Sequence, residues 1–178
     1  MKNQVLTAAV VVAGLAFGSN KAMAQALPQS QQVIVNVDLK DAMGLFPGDG
    51  GTDLPTFEFN NADDYTHPHQ KNKNKQLHVV STENYKITVR AETPAFNSTE
   101  SAATLPLNIL TIAAKQSNGG SYQTDVTPTT VDQLIYTGGK ATVGDDFDFN
   151  YTITPNQTMV EAPKELYNVT LTYTVAAE

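Results

Sequence analysis

Cysteine is absent from the sequence, and so is tryptophan. The first absence excludes disulfides, thiolate metal sites, a thiol nucleophile and a lipid attached through an N-terminal cysteine, so packing and hydrogen bonds alone must hold the fold. Basic residues are scarce: 11 Lys and Arg face 18 Asp and Glu, a net charge of −7. Nucleic acid is excluded as a partner, because phosphate binding needs clustered Lys and Arg, and docking on anionic lipid is disfavoured for the same reason. Sustained helical periodicity with caps is also missing; residues 39–46, LKDAMGLF, make at most one turn before Gly44 and Pro47. With no helix to follow it, a glycine-rich phosphate loop has nowhere to sit.

Long apolar runs are confined to the start. Lys2, the apolar stretch VLTAAVVVAGLAFG (residues 5–18) and the small residues of AMA (22–24) form a secretory signal, with cleavage expected between Ala24 and Gln25. The run falls short of the roughly 20 apolar residues a membrane crossing needs, and nothing after Ala24 approaches that length. The mature chain, 25–178, is expected to be a single soluble domain without membrane insertion, secreted to the periplasm or the cell surface. Losing Lys2 and Lys21 leaves 9 basic against 18 acidic residues, a net of −9.

What the sequence does have is alternation. Val33, Val35, Val37 and Leu39 share one face; so do Phe57 and Phe59, Leu77 and Val79, and Tyr85, Ile87, Val89 and Ala91. Leu105, Leu107 and Ile109 follow, then Leu134 and Tyr136, then Phe147, Phe149, Tyr151 and Ile153. The terminal stretch ELYNVTLTYTVAAE places Tyr167, Val169, Leu171, Tyr173 and Val175 inward against Asn168, Thr170, Thr172 and Thr174. A period of two in β-branched and aromatic residues is the strand signal, and PGDGGTD, STEN, QSNGGS, TGGK and VGDD supply turns. The predicted fold is all-β, an immunoglobulin-like antiparallel β-sandwich of about seven or eight strands. Residues 63–76 and 93–104 read as exposed connections, without strands.

Chemistry is thin. His67 and His69, two apart, would face the same way on a strand, yet Pro68 and the lysines that follow make a basic loop, and no cysteine completes a zinc site. Asp49 with Asp53, and Asp145, Asp146 and Asp148, carry the oxygen ligands calcium prefers, but neither stretch completes a known loop, and Asp with Gly also builds turns. No serine stands in a Gly-x-Ser-x-Gly elbow. Glu58 and Glu92 fall in the outward register, and His78 in the polar register of its strand. Tyr65, Phe96 and Tyr122 lie in or beside loops, where exposed aromatics bind sugars; sequons occur at Asn97, Asn150, Asn156 and Asn168. The expectation is a protein with no catalytic residues, no metal site and no cofactor, the alternative to a structural role being an extracytoplasmic carbohydrate- or ligand-binding module.

A short signal peptide, an alternating segment soon after cleavage and a closing Tyr-x-Val-x-Leu-x-Tyr-x-Val strand resemble bacterial fimbrial and spore-coat-type secreted β-sandwich subunits. The resemblance covers the architecture and about a dozen terminal residues; the chain lacks the cysteine pair of many fimbrial subunits. It implies a structural or adhesive surface component whose copies join through β-strand interactions, with a periplasmic chaperone as a further partner. Residues 29–39 would then be a donated strand, with Val33, Val35, Val37 and Leu39 entering a groove beside the terminal strand, whose Tyr173 and Val175 a chaperone would also read. The other reading makes residues 32–40 the domain's own first strand.

Overall fold

The computed structural model describes residues 34–50 and 54–178. Leu39–Glu178 forms a compact unit, to which the described residues 34–38 do not belong. The expected cleavage point at Ala24 and Gln25, and Val33 and Asp53, lie outside the described residues. Among the described residues no helix is long and apolar enough to cross a membrane.

The fold is all-β. Its strands are β1 (Met43–Pro47), β2 (His69–Ser81), β3 (Tyr85–Ala91), β4 (Ala95–Ser98), β5 (Thr104–Pro106), β6 (Leu110–Gln116), β7 (Gln133–Gly139), β8 (Thr142–Ile153), β9 (Tyr167–Asn168) and β10 (Leu171–Ala177). They form three antiparallel sheets in the orders β1-β2-β8-β6, β10-β3-β7 and β5-β4-β9. The predicted alternation in β3 and β8 is what joins the first two sheets. Phe147 and Phe149 of β8 are fully buried; Phe147 meets Tyr85 and Tyr136 edge-on at 6.2 and 4.7 Å, and Phe149 meets Tyr173 at 5.0 Å. Edge-to-face pairs align the positive rim of one ring with the negative face of the next.

Several expectations are corrected by pairing that no local pattern reveals. Residues 39–46 do not form a helical turn: Met43–Pro47 pairs with Leu77–Ser81, which satisfies their backbone groups better than one isolated turn would. Of the connection expected over 63–76, residues 69–76 belong to β2, whose His69–Lys73 half pairs with β8 although neither of its faces is apolar. A bulge separates the halves. Lys75 takes φ 48°, its N–H donates to Asp148 Oδ1 at 2.9 Å, and the 47–50 turn wraps it so closely that a Cβ on Gly48 would lie 2.1 Å from the Lys75 carbonyl oxygen. Only glycine permits that approach.

The expected strand over 104–114 is interrupted by a 3₁₀ turn, Leu107–Ile109. The 93–104 connection contains β4, and the 143–146 turn lies inside β8. In β7 a register shift against β3 leaves Leu134 exposed and buries Ile135 beside Tyr136. The terminal strand is cut in two, β9 pairing with β4 and β10 with β3. One short helix, α1 (Gln157–Glu161), is capped by Asn156, whose side chain accepts from the Met159 N–H at 3.1 Å. Five residues are too few to show a helical period.

Ionisable groups tie the sheets together and set two pH limits. His78 does not simply face solvent: its Nδ1 lies 2.7 Å from Asp146, and this bond, with Lys75 at 3.4 Å, holds the Asp146 carboxyl below its usual pKa. Hydrogen bonds from Thr137 and Gly138 lower the pKa of Glu178, and those from Ser98 and Ser101 that of Glu165. In the other direction, Tyr151 donates to Gln76 at 2.7 Å and therefore accepts from Tyr173, also at 2.7 Å; burial pushes the Tyr151 hydroxyl up to about 12 and raises that of Tyr173. Burial likewise raises Tyr85, whose hydroxyl donates to Asp145 at 2.7 Å. The signs follow from linkage. Depressed carboxylates bind fewer protons folded than unfolded, so their contribution is present above roughly pH 4 and lost as pH falls through their folded values. Raised tyrosines keep their protons when folded, so stability is full below about pH 10 and declines as pH rises toward the Tyr151 value. Urea midpoints measured across pH should form a plateau that falls at both ends, with the alkaline fall reduced in Tyr151→Phe.

Candidate functional site

The two long sides of the facing sheets differ. On the β6–β7 side, residues 123–131 bridge both sheets. Gln123 N–H donates to Ala114 O at 2.9 Å, and Val126 exchanges bonds with Ile112 at 2.8 and 2.9 Å. The Gln123 side-chain amide then pairs with both backbone groups of Thr137, at 3.0 and 3.1 Å, in the manner of a neighbouring strand. Glu178 covers the next position by accepting from the Gly138 N–H at 3.1 Å and from the Thr137 hydroxyl. Covering an edge in this way prevents pairing with another chain.

The β10 side is open. β10 pairs with β3 from Leu171↔Ala91 to Ala177↔Tyr85, and no strand is hydrogen-bonded to its other edge among the described residues, although β1 lies close to β10. Its inward side chains, Leu171, Tyr173 and Val175, pack on the core but remain partly exposed. Next to the start of β10 a cleft of about 880 Å³ reaches inward to Leu110, Tyr151 and Ile153. Leu54, Phe57 and Phe59 line it from one segment, Leu166–Val169 and Leu171 from another, with Phe96, Leu105 and Met159 also contributing. Leu54 and Leu166 are exposed. An apolar recess continuous with the core and left open to water is the candidate binding feature of this fold, because monomers rarely expose contiguous apolar surface.

The structure therefore brings together Tyr167, Val169 and Leu171 of the expected terminal face at the cleft, while Tyr173 and Val175 lie further along the β10 ladder. The expected N-terminal strand does not form in the described residues: 34–42 carry no ladder, and Val35, Val37 and Leu39 are 80%, 74% and 87% exposed, with Ile34 at 84%. An alternating apolar stretch that buries nothing has its hydrophobic free energy unrealised. Phe57 and Phe59 do face the core as their spacing predicts, but residues 54–60 carry no ladder.

The candidate chemical groups are engaged by protein. His67 and His69 stack at 5.0 Å, and His69 Nε2 bonds the Asp64 carbonyl at 2.8 Å. Among the described residues no group of three His, Asp or Glu side chains is placed to hold a metal ion. The acids expected in a turn sit in β8: Asp145 accepts from Tyr85 at 2.7 Å and Gln116 at 2.8 Å, and Asp148 accepts from the Lys75 N–H and the Ser117 hydroxyl beside Lys115. Asp49 is exposed in its turn. Glu58 and Glu92 are exposed, as their register predicts, and Glu92 accepts from Thr172 and Arg90. Of the three loop aromatics, Tyr65 and Phe96 line the cleft; Tyr122 instead lies under Lys115 Nζ, 5.0 Å from its ring centre.

Asp148→Ala tests the structural role of these acids. It orphans the Lys75 N–H at the bulge, an expected loss of about 1–3 kcal/mol in a urea titration, whereas a replacement of Glu58, which makes no such tie, should change stability by less than about 0.5 kcal/mol. Met159, Leu54 and Leu166 are cleft residues that spacing could not identify, because they come from a short helix and from irregular segments brought together only by folding. The chain matches no protein-family model and no curated protein.

Proposed function

We propose that this protein is an extracytoplasmic structural or adhesive surface subunit, exported by its N-terminal signal, that associates through β-strand addition rather than performing catalysis. In this reading the fold is an immunoglobulin-like sandwich short of one strand. Such a sandwich places its first, second, fifth and fourth strands in one sheet, and its third and sixth together in the other, with a seventh beside the sixth. Taking β1, β2, β3, β6, β8 and β10 as first to sixth, with β7 an addition beside the third, reproduces both orders. The position beside β10 is the one that holds no hydrogen-bonded strand among the described residues. The single observation that carries the proposal is this unpaired edge, next to an apolar cleft, in a chain whose own alternating segment at 34–39 is exposed and unladdered. Strand addition to an exposed edge draws affinity from main-chain bonds and specificity from alternate side chains in pockets.

Copies of a chain this acidic repel one another, so association is expected to strengthen as salt rises from about 20 to 300 mM. Sedimentation velocity of the mature protein should show concentration-dependent oligomers that grow with ionic strength; a monomer at every salt and at high micromolar concentration would defeat the proposal. The second reading, a binding module for glycans or another small ligand, is favoured by the aromatic lining of the cleft, Phe57, Phe59, Tyr65 and Phe96. Glycan binding that Tyr65→Ala abolishes would select it.

A further inference from the structure

We propose that Asn118 is a self-modification site: in the folded protein the main-chain nitrogen of Gly119 closes on the Asn118 side chain, and solvent water then converts the residue into a mixture of aspartate and isoaspartate. The turn QSNGGS carries the one asparagine of the sequence that a glycine follows. It stands between β6, which ends at Gln116, and Gln123, whose side chain covers the β7 edge. Ring closure requires a side-chain amide free to swing, a following nitrogen held in no strong hydrogen bond, and room for the approach. A Cβ on the following residue obstructs that approach, and glycine has none.

All three conditions are met at this turn. Asn118 is exposed, and its side-chain amide makes no hydrogen bond among the described residues. The Gly119 N–H reaches only the Gln116 carbonyl oxygen, at 3.5 Å, too long to hold it firmly. Gly119 and Gly120 take φ of 141° and 97°, and a Cβ on either would meet nothing within 4 Å, so no packing opposes the rotation. Asp49–Gly50 is the instructive contrast, because an aspartyl side chain can close on a following glycine in the same way with loss of water. There the Gly50 N–H donates to the Lys75 carbonyl oxygen at 3.0 Å, and a Cβ would lie 2.2 Å from the Asn74 carbonyl oxygen, so the nitrogen is pinned against β2. Two other asparagines are restrained too: the nitrogen after Asn74 is bonded to Asp148 at 2.9 Å, and Asn61 Oδ1 accepts from the Asp63 N–H at 2.9 Å.

Hydroxide removes the Gly119 amide proton, and the nitrogen forms a bond to Asn118 Cγ. The bond from Cγ to Nδ2 breaks; Nδ2 takes a proton from water, leaves as ammonia and so returns the hydroxide. The product is a cyclic imide, and water opens it at one of its two carbonyl carbons. Breaking the bond from nitrogen to Cγ gives aspartate. Breaking the bond from nitrogen to the main-chain carbonyl carbon gives isoaspartate, whose backbone runs through Cγ and is longer by one methylene. Either product adds a negative charge. The flanking bonds, Ser117 N–H to Asp146 O at 2.8 Å and Gln123 N–H to Ala114 O at 2.9 Å, bracket the exposed stretch that absorbs the extra length, so the fold is retained.

The test holds the full mature protein at mildly alkaline pH, once native and once in urea, and follows the tryptic peptide Gln116–Lys140 by mass spectrometry, with enzymatic methylation to detect isoaspartate. Native Asn118 is expected to convert at a rate within about tenfold of that in urea, with isoaspartate among the products, and faster as pH rises because the attacking amide must lose its proton. The native protein should move later on anion exchange while its urea midpoint stays within error. Asn118→Gln, which would have to close a larger ring, should show no such shift, and Asp49 should stay unconverted while the protein is folded. Native Asn118 that outlasts the unfolded chain's by more than about tenfold would overturn the proposal, since the turn would then protect it. Aspartate formed without isoaspartate would overturn the ring closure, and isoaspartate at Asp49 at a similar rate would overturn the selection by the glycine N–H bond.

Discussion

Removing residues 25–38 from the mature protein should abolish its self-association while leaving the remaining domain folded. The two halves of this outcome have separate causes. Folding survives because Leu39–Glu178 is compact by itself and no ladder uses residues 34–42; the melting temperature should move by no more than a few degrees. Association is lost because Val35 and Val37, largely exposed in their own chain, are the side chains that a second copy would bury. Each is worth about 1.5–3 kcal/mol on full burial. Even after ordering costs are deducted, losing both should weaken dimerisation at least about a hundredfold. Val35→Ser with Val37→Ser gives the same readout without shortening the chain. A truncated protein that still forms oligomers, measured by sedimentation velocity, would assign the contact to another surface. One that unfolds would make the segment part of the domain's own structure.

The largest loss of stability is expected at Phe147. Its ring is fully buried and contacts Tyr85 and Tyr136 across the two sheets, so truncation removes both the transfer free energy and two edge-to-face pairs. Phe147→Ala should cost about 3–5 kcal/mol, a large part of the 5–15 kcal/mol typical of a domain. At about 2–4 °C per kcal/mol for this size, melting should fall by roughly 10 °C or more. With no cysteine to cross-link the chain, nothing covalent limits the loss. By comparison Val143→Ala, at a site almost wholly exposed, should shift melting by less than a degree or two. A small effect at Phe147 would mean that the aromatic cluster is not the joint between the sheets.

The positions at which the sequence misled are informative. The stretch His69–Gln76 looked like a loop because hydrophobic periodicity registers only faces that meet a core. This half of β2 pairs on one side with β8 and carries His69, Lys71 and Lys73 where its other half carries Leu77 and Val79. The runs around Val33–Leu39 (32–40) and around Phe57 and Phe59 (55–61) read as strands because their side chains do alternate, yet neither carries a ladder among the described residues. A ladder depends on a second strand, and in both cases the second strand is not supplied by a neighbour in sequence. The terminal run was one pattern in sequence and two strands in space, since Tyr167–Asn168 and Leu171–Ala177 pair with different partners.

By itself the sequence determined the all-β class, the inward faces of β3 and β8, the acidic surface and the dependence on packing alone, because these follow from composition and from a period of two that any strand must obey. Only the tertiary structure decided which edge is covered and which is open, and where the cleft lies. Those properties belong to pairs of segments far apart in the chain: Gln123 closing on Thr137, Leu54 and Leu166 lining one recess, β10 left with a single partner. Side-chain period records which way a residue faces, but the free edge of a sheet is a matter of backbone hydrogen bonds, which every sequence carries alike.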